Sequence, residues 1–180
     1  MSNVTSRHHL GLWLLVSVFA MPSASFSVAS QDQTERPTKD SPKMKSIVYE
    51  NRKYGFRFSL PETWRGYSVS VSEWEGGDGR TYQRGEVMPP PKKGPLITIR
   101  HPLSTDSNPR QDIMIMVFTK AQWKLVEEDK IILSAAPVGP KELGRNAKFV
   151  FALPPRFNGA GIEGWQEVGE IIQNHPLHTF

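Results

Sequence analysis

The chain has 180 residues and contains no cysteine, which excludes both disulfides and an acylated lipoprotein cysteine. Its 22 Lys and Arg residues against 18 Asp and Glu residues give a formal net charge of +4. Because this excess is small, the composition does not favour nucleic-acid binding. Without disulfides the fold must depend on its own hydrophobic core, which a chain of this length can build.

The first 29 residues have the pattern of a secretory signal peptide. Arg7 supplies a positive amino-terminal region, residues 10–21 form an apolar stretch, and residues 27–29 offer small side chains before a cleavage site. The apolar stretch is too short to cross a bilayer, which takes about 20 residues. We predict cleavage before Ser30, with cleavage before Phe26 as the alternative. The mature protein is then exported to the periplasm or the medium, with no stable membrane span.

Residues 30–45 contain two prolines and a single apolar side chain, Met44. Such a segment cannot bury enough apolar surface to offset the entropy of ordering it, so we interpret it as a flexible linker. Residues 46–180 then form one domain of ordinary size.

The first half of the domain has the alternation typical of β-strands. Residues 46–49 and 54–60 predict an opening β-hairpin, which Pro61 closes. Residues 67–71 alternate bulky apolar side chains with serine, which predicts a third strand with one buried face. We expect a long loop over residues 73–94 and a fourth strand over residues 96–100.

The second half of the domain adds helices. Residues 113–118 are uninterrupted and apolar, which indicates a central strand covered on both faces. Thr119 is predicted to cap a helix that ends near Glu128, and a helical turn is expected at residues 142–144. The last strand and helix are predicted over residues 148–153 and 164–173.

The predicted element order decides the fold class. Only the step from residue 113 to residue 153 offers a parallel crossover, and the other connections are hairpin-like. We therefore expect an α+β domain with a mostly antiparallel β-sheet flanked by helices.

Several motifs resemble a known bacterial family. Tyr49-x-Asn51, followed by YGFRFSLPETWRGY at residues 54–67, resembles the start of secreted bacterial PsbP-like proteins. Further segments also resemble a largely uncharacterised set of exported bacterial proteins, namely residues 100–102, 108–113, 118–119, 142–146 and 151–154. The resemblance implies a Mog1/PsbP-like αβα sandwich and an exported location. It implies no catalytic residue.

A glycine-rich segment, residues 159–164, matches the G-x-G-x-x-G pattern of dinucleotide-binding loops. That function also requires a following helix and a second parallel strand with an acidic residue. Only 16 residues follow the last glycine, which is too few for both. A flexible loop entering the last helix is the preferred interpretation, and we predict no cofactor.

Two alternative functions of the protein would depend on histidine side chains. His101, Ser104 and Asp106 are the residue types of a hydrolase triad, but a triad is normally assembled from distant segments. A small secreted hydrolase that uses His101 with a carboxylate from elsewhere stays as one alternative. His175 and His178 are candidate metal ligands, so a periplasmic metal-binding protein is a second alternative. A structureless tail is the competing interpretation of that pair.

Trp74 is the preferred candidate for an exposed ligand-binding residue. It is out of phase with the apolar side chains of residues 67–71, and it adjoins the long loop that also contains Arg80. Exposed aromatic side chains favour binding surfaces, so we predict a contact region over residues 73–95 that includes Trp74 and Arg80. The preferred function is an exported, non-enzymatic binding or accessory domain of the bacterial cell envelope. Its partner would be an envelope protein or a small ligand of unknown identity.

Overall fold

The computed structural model describes residues 46–79, 85–135 and 138–180. The signal peptide and linker predicted for residues 1–45 lie outside these ranges. Within them the backbone forms nine strands and two α-helices in chain order. They are β1 Ser46–Asn51, β2 Phe56–Pro61, β3 Ser68–Asp78, β4 Lys92–Arg100, β5 Ile113–Thr119, α1 Lys120–Glu127, β6 Ile131–Ile132, β7 Lys141–Arg145, β8 Phe149–Leu153, α2 Trp165–Gln173 and β9 Leu177–Thr179. A 3-10 turn, Glu62–Trp64, follows β2.

A three-stranded sheet contains both ends of the described domain. β1 and β2 form the predicted opening hairpin, with Tyr49 opposite Phe58 in an antiparallel register. β9 pairs with the other side of β2, where Leu177 also lies opposite Phe58. The structureless tail expected around His175 and His178 is therefore wrong, because Leu177 is buried and ties this segment to β2.

The other six strands form a second antiparallel sheet in the order β6-β3-β4-β5-β8-β7. β5 lies between β4 and β8, and it is buried on both faces, as predicted. β5 and β8 are antiparallel, so no parallel crossover is formed. Residues 142–144 belong to β7 and not to a helical turn, because pairing with β8 holds them extended.

The hairpin of β3 and β4 is longer than predicted. Pairing runs from Ser68 opposite Arg100 to Gly76 opposite Lys92, so both ends of the loop expected over residues 73–94 are strand. β6 extends the pairing by covering Gly77 and Asp78.

The six-stranded sheet buries a different hydrophobic cluster on each face. The first cluster lies between this sheet, the three-stranded sheet and α2, and it includes the following side chains: Phe56, Phe58, Leu60, Trp64, Ile97, Ile99, Ile115, Phe151, Val168 and Ile172. The second lies under α1 and contains Trp74, Met116, Phe118, Trp123, Ile131, Val150 and Ala152. Successive residues of β5 point to opposite faces, which explains why Ile115 and Met116 belong to different clusters.

The two helices begin and end close to the predicted residues. Thr119 caps α1 with a capping box, in which its side chain accepts from the backbone of Gln122 while the Gln122 side chain accepts from the Thr119 backbone. Gly164 precedes α2 in a left-handed conformation, with φ of 83°. The result is a mostly antiparallel β structure with two helices, which confirms the predicted α+β class. No helix in the described ranges is long and apolar enough to cross a membrane.

Candidate functional site

Trp74 is buried, so the exposure predicted for it is wrong. Its side chain is 3% exposed, its Nε1 donates a hydrogen bond to the Val117 carbonyl at 2.9 Å, and its ring lies 4.5 Å from that of Phe118. Trp74 is buried because it lies on the face of β3 that α1 covers. Val69 and Val71 lie on the opposite face and are 37% and 60% exposed. The one-sided burial predicted for residues 67–71 is therefore also wrong.

Arg80, the second residue of the predicted contact region, lies outside the described residues. Of the rest of that region, residues 92–95 belong to β4, and Lys93 forms an ion pair with Glu75 across the hairpin at 2.5 Å. A contact region centred on Trp74 therefore has no support from the described residues.

His101 is buried in a structural position. Its ring is 4% exposed and packs edge-on against Trp64, with 4.9 Å between the ring centres. Its Nδ1 accepts a hydrogen bond from the backbone N–H of Leu103 at 3.1 Å. Burial, with a smaller contribution from the Arg110 charge, lowers the pKa of His101. The hydrogen bond from Leu103 stabilises the turn after β4. It also leaves Nδ1 unavailable to accept a proton from a substrate.

The other triad types have separate partners. The Ser104 hydroxyl accepts from the backbone N–H of Arg110, and Asp106 pairs with Arg100 at 3.3 Å. No hydrogen bond joins His101 to a carboxylate among the described residues. The geometry therefore does not assemble the hydrolase site that we kept as an alternative.

His175 and His178 do not form a metal centre with other described side chains. His175 has a φ of 48° after the end of α2, and His178 lies on β9 opposite Arg57. Within residues 46–79, 85–135 and 138–180 no group of three His, Cys, Asp or Glu side chains could hold a metal ion.

The glycine-rich segment is fixed to the sheet by Gln111. The Gln111 backbone N–H donates to the Glu163 carbonyl at 2.7 Å, and its Nε2 donates to the Phe157 carbonyl at 2.8 Å. Asn158 in turn donates to the Trp165 carbonyl at 3.0 Å. The segment is therefore a loop that leads into α2, as predicted, but these hydrogen bonds hold it in place, whereas the prediction was of a flexible loop.

A groove runs between the end of β2 and one side of α2, and we name it the α2 groove. Its volume is about 320 Å³. Leu60 and Ile171 are 1% and 7% exposed and form an apolar floor with Pro61 and Pro176. The remaining lining residues are polar: Ser46, Ser59, Thr63, Glu167, Glu170 and Asn174.

Carboxylates lie on one side of the α2 groove. Glu167 is held in place, because its Oε1 accepts from the Thr63 hydroxyl at 2.6 Å and its Oε2 lies 3.9 Å from the Arg110 guanidinium. Arg110 also forms an ion pair with Glu163. Glu170, one turn further along α2, has no ion pair with any described residue. One carboxylate is thus balanced by Arg110 and the next is available to a ligand.

Local sequence places these groups. Pro61 ends β2 and begins the 3-10 turn, which brings Thr63 to the side chain of Glu167. Glu170 and Ile171 lie three and four residues after Glu167 on α2, and Asn174, at the end of the helix, lies four and three residues after them, so all four face the same side. The spacing of positions 167, 170, 171 and 174 is the sequence signal that indicates this shared face.

A comparison with protein-family models, curated proteins and solved structures finds no significant match.

Proposed function

We propose that the chain is an exported, non-enzymatic binding domain of the bacterial cell envelope with a PsbP-like, Mog1/PsbP-type fold. The observation that carries the proposal is the α2 groove, which combines an apolar floor with the carboxylate of Glu170 at its side. The antiparallel sheet with one helix on each face supports the fold assignment. The signal-like residues 1–29 support the location.

The groove favours a particular class of ligand. A volume of about 320 Å³ is at the lower end of ligand pockets, which span roughly 300–1,000 Å³. The floor of Leu60 and Ile171 suits an apolar side chain, and Glu170 suits a neighbouring cation. We therefore infer an extended peptide segment in which a lysine or arginine adjoins an apolar residue.

Binding is tested with a fluorescein-labelled hexapeptide of alternating leucine and lysine, titrated with the purified protein and followed by anisotropy. We expect saturable binding that Glu170→Lys weakens about tenfold, because a repulsive charge replaces an attractive one. The matched control is Glu127→Lys on α1, which changes the net charge equally on the other face of the six-stranded sheet. It should bind like the unaltered protein.

Two results would contradict the groove as the binding site. Equal weakening by Glu170→Lys and Glu127→Lys would assign the binding to net charge. If a hexapeptide of alternating leucine and glutamate bound as tightly as the leucine and lysine hexapeptide, the Glu170 carboxylate would have no role in binding.

Export is tested separately, by N-terminal sequencing of the protein recovered from the periplasm and the medium of an expressing bacterium. We expect a mature chain that begins at Ser30, or at Phe26 if the alternative site is used. Recovery of the protein only in the cytoplasm with its first 29 residues intact would contradict the proposed location.

A further inference from the structure

β3 has a strand neighbour on only one side for most of its length. It pairs with β4 from Ser68 to Gly76, whereas β6 pairs on the other side only with Gly77 and Asp78. The backbone groups on that side of residues 68–76 have no strand partner among the described residues. An unpaired strand edge is a template for a further strand. We name residues 68–72 the β3 edge.

The β3 edge lacks the features that normally protect strand edges. Natural proteins use charged side chains, prolines and bulges there. The β3 edge has the sequence SVSVS and contains none of these. By contrast, β7 carries Lys141 and Arg145 with a register shift, and β1 carries the ion-paired Glu50.

Two exposed valines extend the apolar surface of the sheet to this edge. Val69 lies opposite Ile99 and Val71 opposite Ile97, so they share a face with two fully buried side chains. Both valines nevertheless remain exposed, by 37% and 60%. Covering them with apolar surface is favourable, because it removes apolar area from water.

We propose that the β3 edge binds a second copy of this chain, strand against strand, so that two six-stranded sheets join across a two-fold axis at Ser70. In this antiparallel register each Val69 lies opposite Val71 of the second copy, and serines lie opposite serines. One patch then contacts itself, as a two-fold interface requires. Residues 68–72 contain no charged side chain, so no like charges meet across the two-fold axis.

Sedimentation velocity of the purified protein tests association. We expect the weight-average mass to rise from monomer to dimer over about a hundredfold range of concentration. Val71→Lys should keep the protein folded and monomeric, because it places a charge on an exposed position of the edge. Val48→Lys is the matched control, since Val48 is an exposed valine on the edge strand β1. It should dimerise like the unaltered protein.

Disulfide cross-linking tests the register, and the absence of natural cysteines makes it specific. Ser70→Cys places two thiols opposite each other at the two-fold axis, within the Cα separation of about 4.4–6.8 Å that a disulfide accepts. In Ser72→Cys the two thiols are displaced by four residues, or roughly 13 Å. Mild oxidation should therefore give a covalent dimer of Ser70→Cys much faster than of Ser72→Cys.

The outcomes separate this inference from the proposed function. A protein that stays monomeric throughout, loss of the dimer in Val48→Lys instead of Val71→Lys, or equal cross-linking at positions 70 and 72 would overturn it. Since the β3 edge is distinct from the α2 groove, Val71→Lys should still bind the leucine and lysine hexapeptide.

Discussion

The indole of Trp74 lies directly over Gly94 on the neighbouring strand. The two residues are paired in the β3–β4 register, and a Cβ atom added to Gly94 would lie 2.5–2.6 Å from three atoms of the ring. Because Trp74 is buried and hydrogen-bonded to Val117, the ring cannot move aside freely. Gly94 is therefore required at this position by the tryptophan that covers it.

We expect Gly94→Ala to lower the free energy of unfolding by about 1–3 kcal/mol, as overpacking of a filled core does. Gly77→Ala on β3 is the matched control, because a Cβ there meets nothing within 4 Å. Its effect should stay within about 0.5 kcal/mol. Urea denaturation of the three proteins measures both values, and equal destabilisation by the two substitutions would contradict the packing of Trp74 on Gly94.

Trp74 itself should be a determinant of stability and not of binding. We expect Trp74→Ala to cost about 3–5 kcal/mol, as for other buried tryptophans. Trp74→Phe keeps most of the ring but leaves the Val117 carbonyl without its donor, at a cost of about 1–3 kcal/mol. Thermal denaturation checks the order. An unchanged melting temperature in Trp74→Ala would contradict a stabilising role for Trp74. It would favour the exposed contact residue that was predicted from the sequence.

Elements whose determinants are local could be predicted from the sequence. The capping box of Thr119 and Gln122 places the start of α1 without any tertiary information. The unbroken apolar run of β5 likewise indicates a strand with no exposed face, which the structure confirms.

The errors concern properties that neighbouring elements decide. The alternation of valine and serine in β3 gives the period of the strand but not which face is covered. That choice depends on where α1 and the three-stranded sheet end, so Trp74 is buried while Val71 is exposed. β7 is strand because β8 pairs with it, although residues 142–144 suggest a helical turn. The α2 groove requires the contact of Thr63 with Glu167, which are 104 residues apart.

The stability of the protein should decrease as the pH falls below the usual pKa of histidine. The folded state lowers the pKa of His101, so protonation at a pH just below 6.5 favours the unfolded chain. This stabilisation is complete above pH 6.5 and is lost as the pH falls toward the folded-state pKa. The charged side chains that act on His101 are Arg110, Glu163 and Glu167.

His101→Asn tests this assignment. The Asn side-chain oxygen can accept the Leu103 N–H as His101 Nδ1 does, but it does not titrate. We expect lower stability at every pH, from lost packing on Trp64, and a flatter decline in urea midpoint between about pH 7 and 5. His178→Asn, which removes an exposed histidine, should keep the decline of the unaltered protein. An equally steep decline in His101→Asn would contradict the prediction.

Asp112 should destabilise the fold at neutral pH. Burial raises its pKa, the Arg100 charge opposes this only in part, and its Oδ1 is buried without a hydrogen-bond partner among the described residues. A raised pKa means that the folded state binds the proton more tightly. Stability is therefore lost as the pH rises from the usual aspartate value of 3.8 through the folded-state pKa, and the deficit persists at higher pH.

Asp112→Asn removes that charge, so we expect it to raise the urea midpoint at about pH 7 and to lose this advantage as the pH falls toward about 3. Asp106→Asn is the matched control, because Asp106 also faces Arg100 but is fully exposed. Its effect at neutral pH should stay within about 0.5 kcal/mol, as for other exposed ion pairs. A lower midpoint for Asp112→Asn at neutral pH would mean that the electrostatic attraction between Asp112 and the Arg100 charge outweighs the cost of burying the carboxylate.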